Sequence, residues 1–91
     1  MELEQLHLWL SGRVQGVGYR FQVFTEANRR NLRGWVRNLS DGRVEVLLQG
    51  TREDLLAMRE WCALRVRRAI VLDVEERWET PGMVLGEFEI R

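Results

Sequence analysis

The stretch LHLWLSGRVQGVGYR, residues 6–20, decides the fold. Leu6, Leu8 and Leu10 alternate with His7 and Trp9, the two-residue period of a strand with one face on a core. Gly12, Gly16 and Gly18 then interrupt the pattern between Ser11 and Tyr19, and apolar residues resume at helical spacing with Phe21, Phe24 and Ala27 after Arg20. The reading is strand, glycine loop, helix.

Working outward, the helix is expected to stop near Asn31, because asparagine tolerates the left-handed conformation that ends helices, and Gly34 follows closely. A second strand is predicted over Trp35–Leu39. Ser40-Asp41-Gly42 signals a hairpin, and Val44, Val46 and Leu48 alternate in a third, antiparallel strand ending at Gly50. Thr51 with Asp54 resembles a capping box, and Leu55, Met58 and Cys62 supply one apolar face of a second helix. Ile70–Trp78 reads as a fourth strand, Thr80-Pro81-Gly82 as a turn, and Gly86–Arg91 as a short closing strand. This βαββαβ order predicts a single α+β domain over residues 1–91. Its architecture is a two-layer α/β sandwich of the ferredoxin-like kind, an antiparallel sheet covered on one face by two helices.

Composition narrows the function. Fourteen basic and fourteen acidic residues balance, which argues against affinity for a nucleic-acid or membrane phosphate array and makes any anion site local. Every basic residue is arginine, so lysine-based phosphate loops and Schiff-base chemistry are excluded. One cysteine cannot form an internal disulfide, and no apolar run is long enough for a signal peptide or membrane span, so the expected compartment is the cytoplasm. A single histidine offers no metal pair, and no cofactor is expected.

The nine residues GRVQGVGYR, Gly12 to Arg20, lie where consecutive backbone N–H groups can turn inward beside a helix N-terminus, an arrangement that binds anions. Gly16 and Gly18 let the main chain approach an oxyanion, and Arg20 can add a bidentate, charge-assisted contact. Neither GxxxxGK[ST] nor GxGxxG is present, which disfavours a nucleoside triphosphatase. Nothing in the loop reads an organic substituent on the phosphate.

The second conspicuous element is GWVRN, Gly34 to Asn38, just before the Asp41-Gly42 hairpin. With LSGRVQGVGYR (Leu10 to Arg20), Gly42-x-Val44 and Gly50, it resembles the two signatures of the acylphosphatase family. The similarity runs on through Ala27, Leu32, Ala69, Val71, Trp78 and the terminal Phe88-Glu89-Ile90-Arg91. The resemblance implies metal-free hydrolysis of a small-molecule acyl phosphate to a carboxylate and inorganic phosphate, by a monomer. It further implies that Arg20 binds the phosphoryl group, that Asn38 positions the attacking water, and that the backbone amides of Gln15, Gly16, Val17, Gly18, Tyr19 and Arg20 form the phosphate loop. Asn31 and the pair Arg65-Val66 depart from glycine and Gly-Pro common in that family, which bears on local turns. Tyr19, where phenylalanine is frequent, is expected to be a solvent-exposed tip near the loop.

Other readings fit parts of the sequence. Cys62 and Arg68 satisfy C-x5-R, but the intervening ALRVR has no glycine to bend a phosphate cradle. Arg65, Arg67 and Arg68 read as a solvated helix end. A non-catalytic ferredoxin-like module binding RNA or another anion would use Trp9 and Trp35 as stacking surfaces. The third strand, RVEVLLQ, carries no aromatic residue to support that reading. A structural domain of the kind found in larger hydrogenase-maturation proteins is disfavoured by the length of this chain.

Overall fold

The computed structural model describes residues 3–91. The elements are β1 (Glu4–Arg13), α1 (Tyr19–Arg29), β2 (Arg33–Asn38), β3 (Val44–Gly50), α2 (Arg52–Leu64), β4 (Ile70–Glu79) and β5 (Glu89–Ile90). They form one sheet in the order β4-β1-β3-β2-β5. The βαββαβ order expected from periodicity is therefore present. β1 pairs antiparallel with both β3 and β4, setting Leu6, Leu8 and Leu10 opposite Leu48, Val46 and Val44. All six side chains are fully buried on the face that the helices cover, joined there by Val23 and Ala27 of α1 and by Leu55, Met58 and Cys62 of α2. Truncating one of these leucines to alanine would cost roughly 2–5 kcal/mol, a large part of a small domain's stability.

Local signals set the helix ends as their chemistry requires. Asn31 adopts φ 57°, while the N–H groups of Asn31 and Leu32 reach back to the carbonyls of Asn28 and Ala27, a Schellman closure of α1. The Thr51 hydroxyl accepts from the Asp54 N–H at 3.2 Å and caps α2.

Two features differ from the expectation. Gly12 belongs to β1 and sits at a bulge against β4, where a Cβ would lie 2.2 Å from the Ile70 carbonyl oxygen, so the glycine loop proper is shorter than the sequence pattern indicates. The closing strand is reduced to Glu89 and Ile90, and it pairs parallel with β2, not antiparallel. The reason is geometric. After β4 the chain must cross from one edge of the sheet to the other, and the crossing is tied to β3 and β2. Gln49 donates to the Met83 carbonyl and accepts from the Leu85 N–H, both at 2.8 Å, and Arg33 donates to the Leu85 carbonyl at 2.7 Å.

The other sheet face is closed by polar and aromatic side chains. His7 stacks on Trp9 with ring centroids 3.9 Å apart and meets Trp35 edge-on. Its Nε2 lies 2.6 Å from a Glu45 carboxylate oxygen whose partner oxygen accepts from Arg37 Nε at 2.6 Å. Burial opposes ionisation of Glu45, but the hydrogen bonds from Arg37 and His7 outweigh it and hold the carboxyl below its ordinary 4.5. A carboxyl depressed in the folded chain stabilises the fold above its unfolded value, and that contribution is lost as pH falls through the folded value. The urea midpoint should therefore hold steady down to about pH 4.5 and fall below it. Glu45→Gln should lower the midpoint at neutral pH and flatten the acid fall, Glu26 and Asp41 supplying what remains. An unchanged acid slope in the variant would show that Glu45 is not a source of it.

Candidate active site

The site begins where β1 ends. Val14 is fully buried and Val17 packs against the core, so alternate residues anchor the loop while Gly16 and Gly18 face outward. Both glycines are left-handed, at φ 76° and 73°, a conformation that costs other residues about 1–2 kcal/mol. Left-handed residues alternating with others turn successive N–H groups toward one side, the concavity that holds oxyanions.

Gly18 is the N-cap of α1, with no side-chain cap, and the first turn contains no acidic residue. It contains Arg20 instead, a cation where the helix dipole is itself positive, which disfavours it by roughly 0.3–1 kcal/mol. Arg20 is exposed and has no carboxylate partner among the described residues. Uncommitted helix N–H groups, left-handed glycines and a free guanidinium thus converge, and an anion is the ligand that compensates all three.

Asn38 ends β2 opposite Val44 and is exposed. It lines the same cleft of about 200 Å³ as Gly16, Gly18, Arg20, Phe21 and Ile90. The volume suits a small tetrahedral group. The two residues singled out as catalytic, 18 positions apart in sequence, are therefore brought together, and the loop lies beside them.

The loop and the hairpin that carries Asn38 are joined by a side chain whose part the sequence pattern did not reveal. The Gln15 carboxamide donates to the carbonyls of Leu39, at 2.8 Å, and of Arg43, at 2.9 Å. Leu39 and Arg43 themselves close the hairpin, Leu39 N–H donating to the Arg43 carbonyl at 2.8 Å. Gln15 was placed in the loop for its backbone amide; its side chain fixes the distance between cradle and Asn38. Phe21 and Ile90 also border the cleft without having been anticipated. Ile90 arrives through the parallel pairing with Val36, which no local pattern announces.

Tyr19 corrects the sequence expectation. It is 2 % exposed, not a solvent-exposed tip, and its hydroxyl donates to the Cys62 carbonyl at 2.7 Å. Burial first, then the neighbouring Cys62, pushes the phenol far above its usual range, so it stays a neutral donor. The residue between Gly18 and Arg20 is thereby pinned to α2.

Other candidates lie apart from the cleft. Cys62 is fully buried, and burial pushes its thiol up to about 12, which removes it as a nucleophile. Arg65, Arg67 and Arg68 are exposed after α2, as expected of a helix end. His7 is on the opposite sheet face, paired in register with Leu47.

Two outcomes follow. Gln15→Ala should keep the fold but lower kcat by roughly tenfold or more, since misplacing a reacting group by about 1 Å can cost a hundredfold; inhibition by inorganic phosphate should change less. Tyr19→Phe leaves the Cys62 carbonyl unpaired and should cost about 1–3 kcal/mol in chemical denaturation, with kcat within a small factor of the parent.

Comparison with known proteins bears on the family and the fold. The family model described as acylphosphatase matches residues 6–90. An acylphosphatase of Anaeromyxobacter sp. (strain Fw109-5) is 43% identical over 90 residues, covering 99% of this chain and 97% of that protein. The crystal structure of acylphosphatase from Bacillus subtilis superposes with a TM-score of 0.92 at 36% identity, covering 99% of both chains. That of an acylphosphatase from Coxiella burnetii gives 0.85 at 33% identity, covering 98% of this chain and 93% of that one. With sequence and fold in agreement from one end of the described chain to the other, this protein belongs to the acylphosphatase family, enzymes that hydrolyse acyl phosphates.

Proposed function

We propose that this chain, a hydrolase of acyl phosphates by its family, works by gripping the phosphoryl group between the loop amides of residues 15–20 and the Arg20 guanidinium while Asn38 holds the attacking water. The observation that carries the reading is the convergence of an unpaired Arg20, a left-handed glycine loop and Asn38 on one small cleft. The water oxygen attacks phosphorus in line, the bond from phosphorus to the acyl oxygen breaks, and the carboxylate leaves with its electron pair. Because the leaving acid has a pKa of about 4–5, no group need protonate it. The water's proton passes to a phosphoryl oxygen of the substrate, so no protein base is needed. What the protein supplies is position and preorganised positive potential.

This chemistry asks nothing of a metal or cofactor, and the cleft is built within one chain, so a monomer suffices. The free, buried Cys62 suits a reducing compartment, and we place the enzyme in the cytoplasm. Among the described residues no helix is long and apolar enough to cross a membrane. Against RNA binding stands the state of the aromatic residues. Trp9 is already stacked on His7, and Trp35 is 8 % exposed beneath Arg37 and Arg91.

The test is turnover of benzoyl phosphate in chelating buffer. Arg20→Ala and Asn38→Ala should each lose roughly two to three decades in kcat while melting like the parent. Their roles separate on product inhibition: Arg20→Ala should lose competitive inhibition by inorganic phosphate, and Asn38→Ala should keep it. Full activity in either folded variant would refute its assignment.

A further inference from the structure

The cleft that holds Arg20 and Asn38 does not end at the phosphate loop. Gly18 and Phe21, which border it, also border a larger groove of about 630 Å³ between α1 and the turn that follows α2. Val17 and Trp61 give that groove apolar walls, and Arg67 and Arg68 stand at its rim. Phe21 is 66 % exposed at the junction, a large apolar ring left in water on the first turn of α1.

The arginine rim is held in place. Gln22 accepts from the Arg67 N–H at 2.8 Å and donates to the Arg67 carbonyl at 3.0 Å, docking the turn onto α1. The same Gln22 amide also lies 3.4 Å from the Val17 carbonyl, and Gln22 N–H donates to the Gly18 carbonyl, so the turn is docked directly beside the phosphate loop. Arg68 adopts φ 69°, a left-handed backbone that disfavours an arginine where glycine would be unstrained. Neither guanidinium has a carboxylate partner among the described residues. The one carboxylate lining the groove, Glu26, is committed to Arg29 and Arg30.

We propose that this groove is the acyl subsite and that it favours acyl phosphates whose acyl group is an extended apolar chain ending in a second anion, met by Arg67 and Arg68. The inference rests on the reading that the loop and Arg20 hold the phosphoryl group. A substrate anchored there carries its acyl half covalently, so the half must lie on a surface adjoining the cleft. The groove adjoins it through Gly18 and Phe21, and it is lined both by the apolar side chains of Val17, Phe21 and Trp61 and by Arg67 and Arg68. That mixed lining matches an apolar body that carries a second carboxylate.

The measurement is kcat/KM of the intact chain on suberoyl monophosphate and on octanoyl phosphate, equal in length and differing in the terminal carboxylate, with acetyl phosphate as the short control. The parent should prefer the suberoyl substrate by about five- to tenfold at low salt, the scale of two solvent-exposed ion pairs, and the preference should shrink as salt is raised. Arg67→Gln with Arg68→Gln should erase the preference while leaving octanoyl and acetyl phosphate turnover within about twofold of the parent. Arg67→Glu with Arg68→Glu should reverse it. Equal kcat/KM for the two long substrates in the parent, or a preference that survives the double glutamine variant, would overturn the subsite and leave the catalytic reading intact. A parent that hydrolyses none of the three, acetyl phosphate included, would overturn the catalytic reading and the subsite with it.

Discussion

β1 is hydrogen-bonded on both sides, to β3 and to β4, so its register is fixed twice and a one-residue slip would carry Leu6, Leu8 and Leu10 out of the core together. The position of the active site descends from that constraint. Where β1 stops, Val14 still has to reach the core, and the chain must then turn into α1 within four residues. Two left-handed glycines make the turn and deliver the chain to a helix N-terminus that has no side-chain cap and no acidic residue in its first turn. Asn38 is placed by the same sheet, since β2 is registered on β3 and β3 on β1. The distance between the cradle and Asn38 is thus a property of three paired strands, tightened by the Gln15 carboxamide.

Charge is distributed to the same end. The chain is neutral as a whole, yet its arginines differ in how far they are compensated. On the open sheet face Arg37 is bound to Glu45 and lies over Trp35, and Arg77 lies over Trp9, so those cations are neutralised or covered. At the loop end of the molecule Arg20, Arg67 and Arg68 have no carboxylate partner among the described residues. A neutral protein can therefore present a local positive potential to a small anion without the long-range field that draws a protein onto nucleic acid. Arg20 in the first turn of α1 and Arg68 in a left-handed conformation are each unfavourable for the isolated fold. Local conflicts of this kind are expected where a sequence answers to a ligand as well as to folding.

The parts of this structure that were legible in the sequence are those settled by near neighbours. The alternation of Leu6, Leu8 and Leu10, the Asp41-Gly42 hairpin, the closure of α1 by Asn31 and the Thr51 cap each depend on a few adjacent residues, and each is found in place. The loop could be read from its glycines and Arg20 from its place at the helix start, while Asn38 is named by family resemblance alone. Tyr19 was misplaced because helical periodicity at the first turn does not say which neighbour the side chain will meet, and here α2 offers the Cys62 carbonyl. Ile90 and the parallel pairing of β5 depend on how residues 80–88 cross the sheet, a matter of tethers from Gln49 and Arg33 that no window around Ile90 contains. The second use of Gln15 was invisible for the same reason, its partners lying 24 and 28 residues away.

The thinness of the fold is compatible with the reaction proposed for it. Chemistry that needs a perturbed acid or base requires a deep, dry pocket to shift a pKa, and a chain of 91 residues with one core layer has little interior to spare. Among the described residues the groups strongly shifted by burial are the Tyr19 phenol, whose hydroxyl ties α1 to the Cys62 carbonyl of α2, and the Cys62 thiol, which burial keeps neutral. An acyl phosphate removes the need, because its carboxylate leaves unprotonated and its own phosphoryl oxygens can take the water's proton. On the proposed mechanism catalysis reduces to holding donors where charge develops, the part we assign to the strand end, glycine turn and helix N-terminus at the surface of a thin sandwich. A scaffold limited to positioning is poorly equipped for bonds with worse leaving groups, such as phosphate monoesters of alcohols. On that mechanism a site that only positions its substrate is expected to favour activated phosphates.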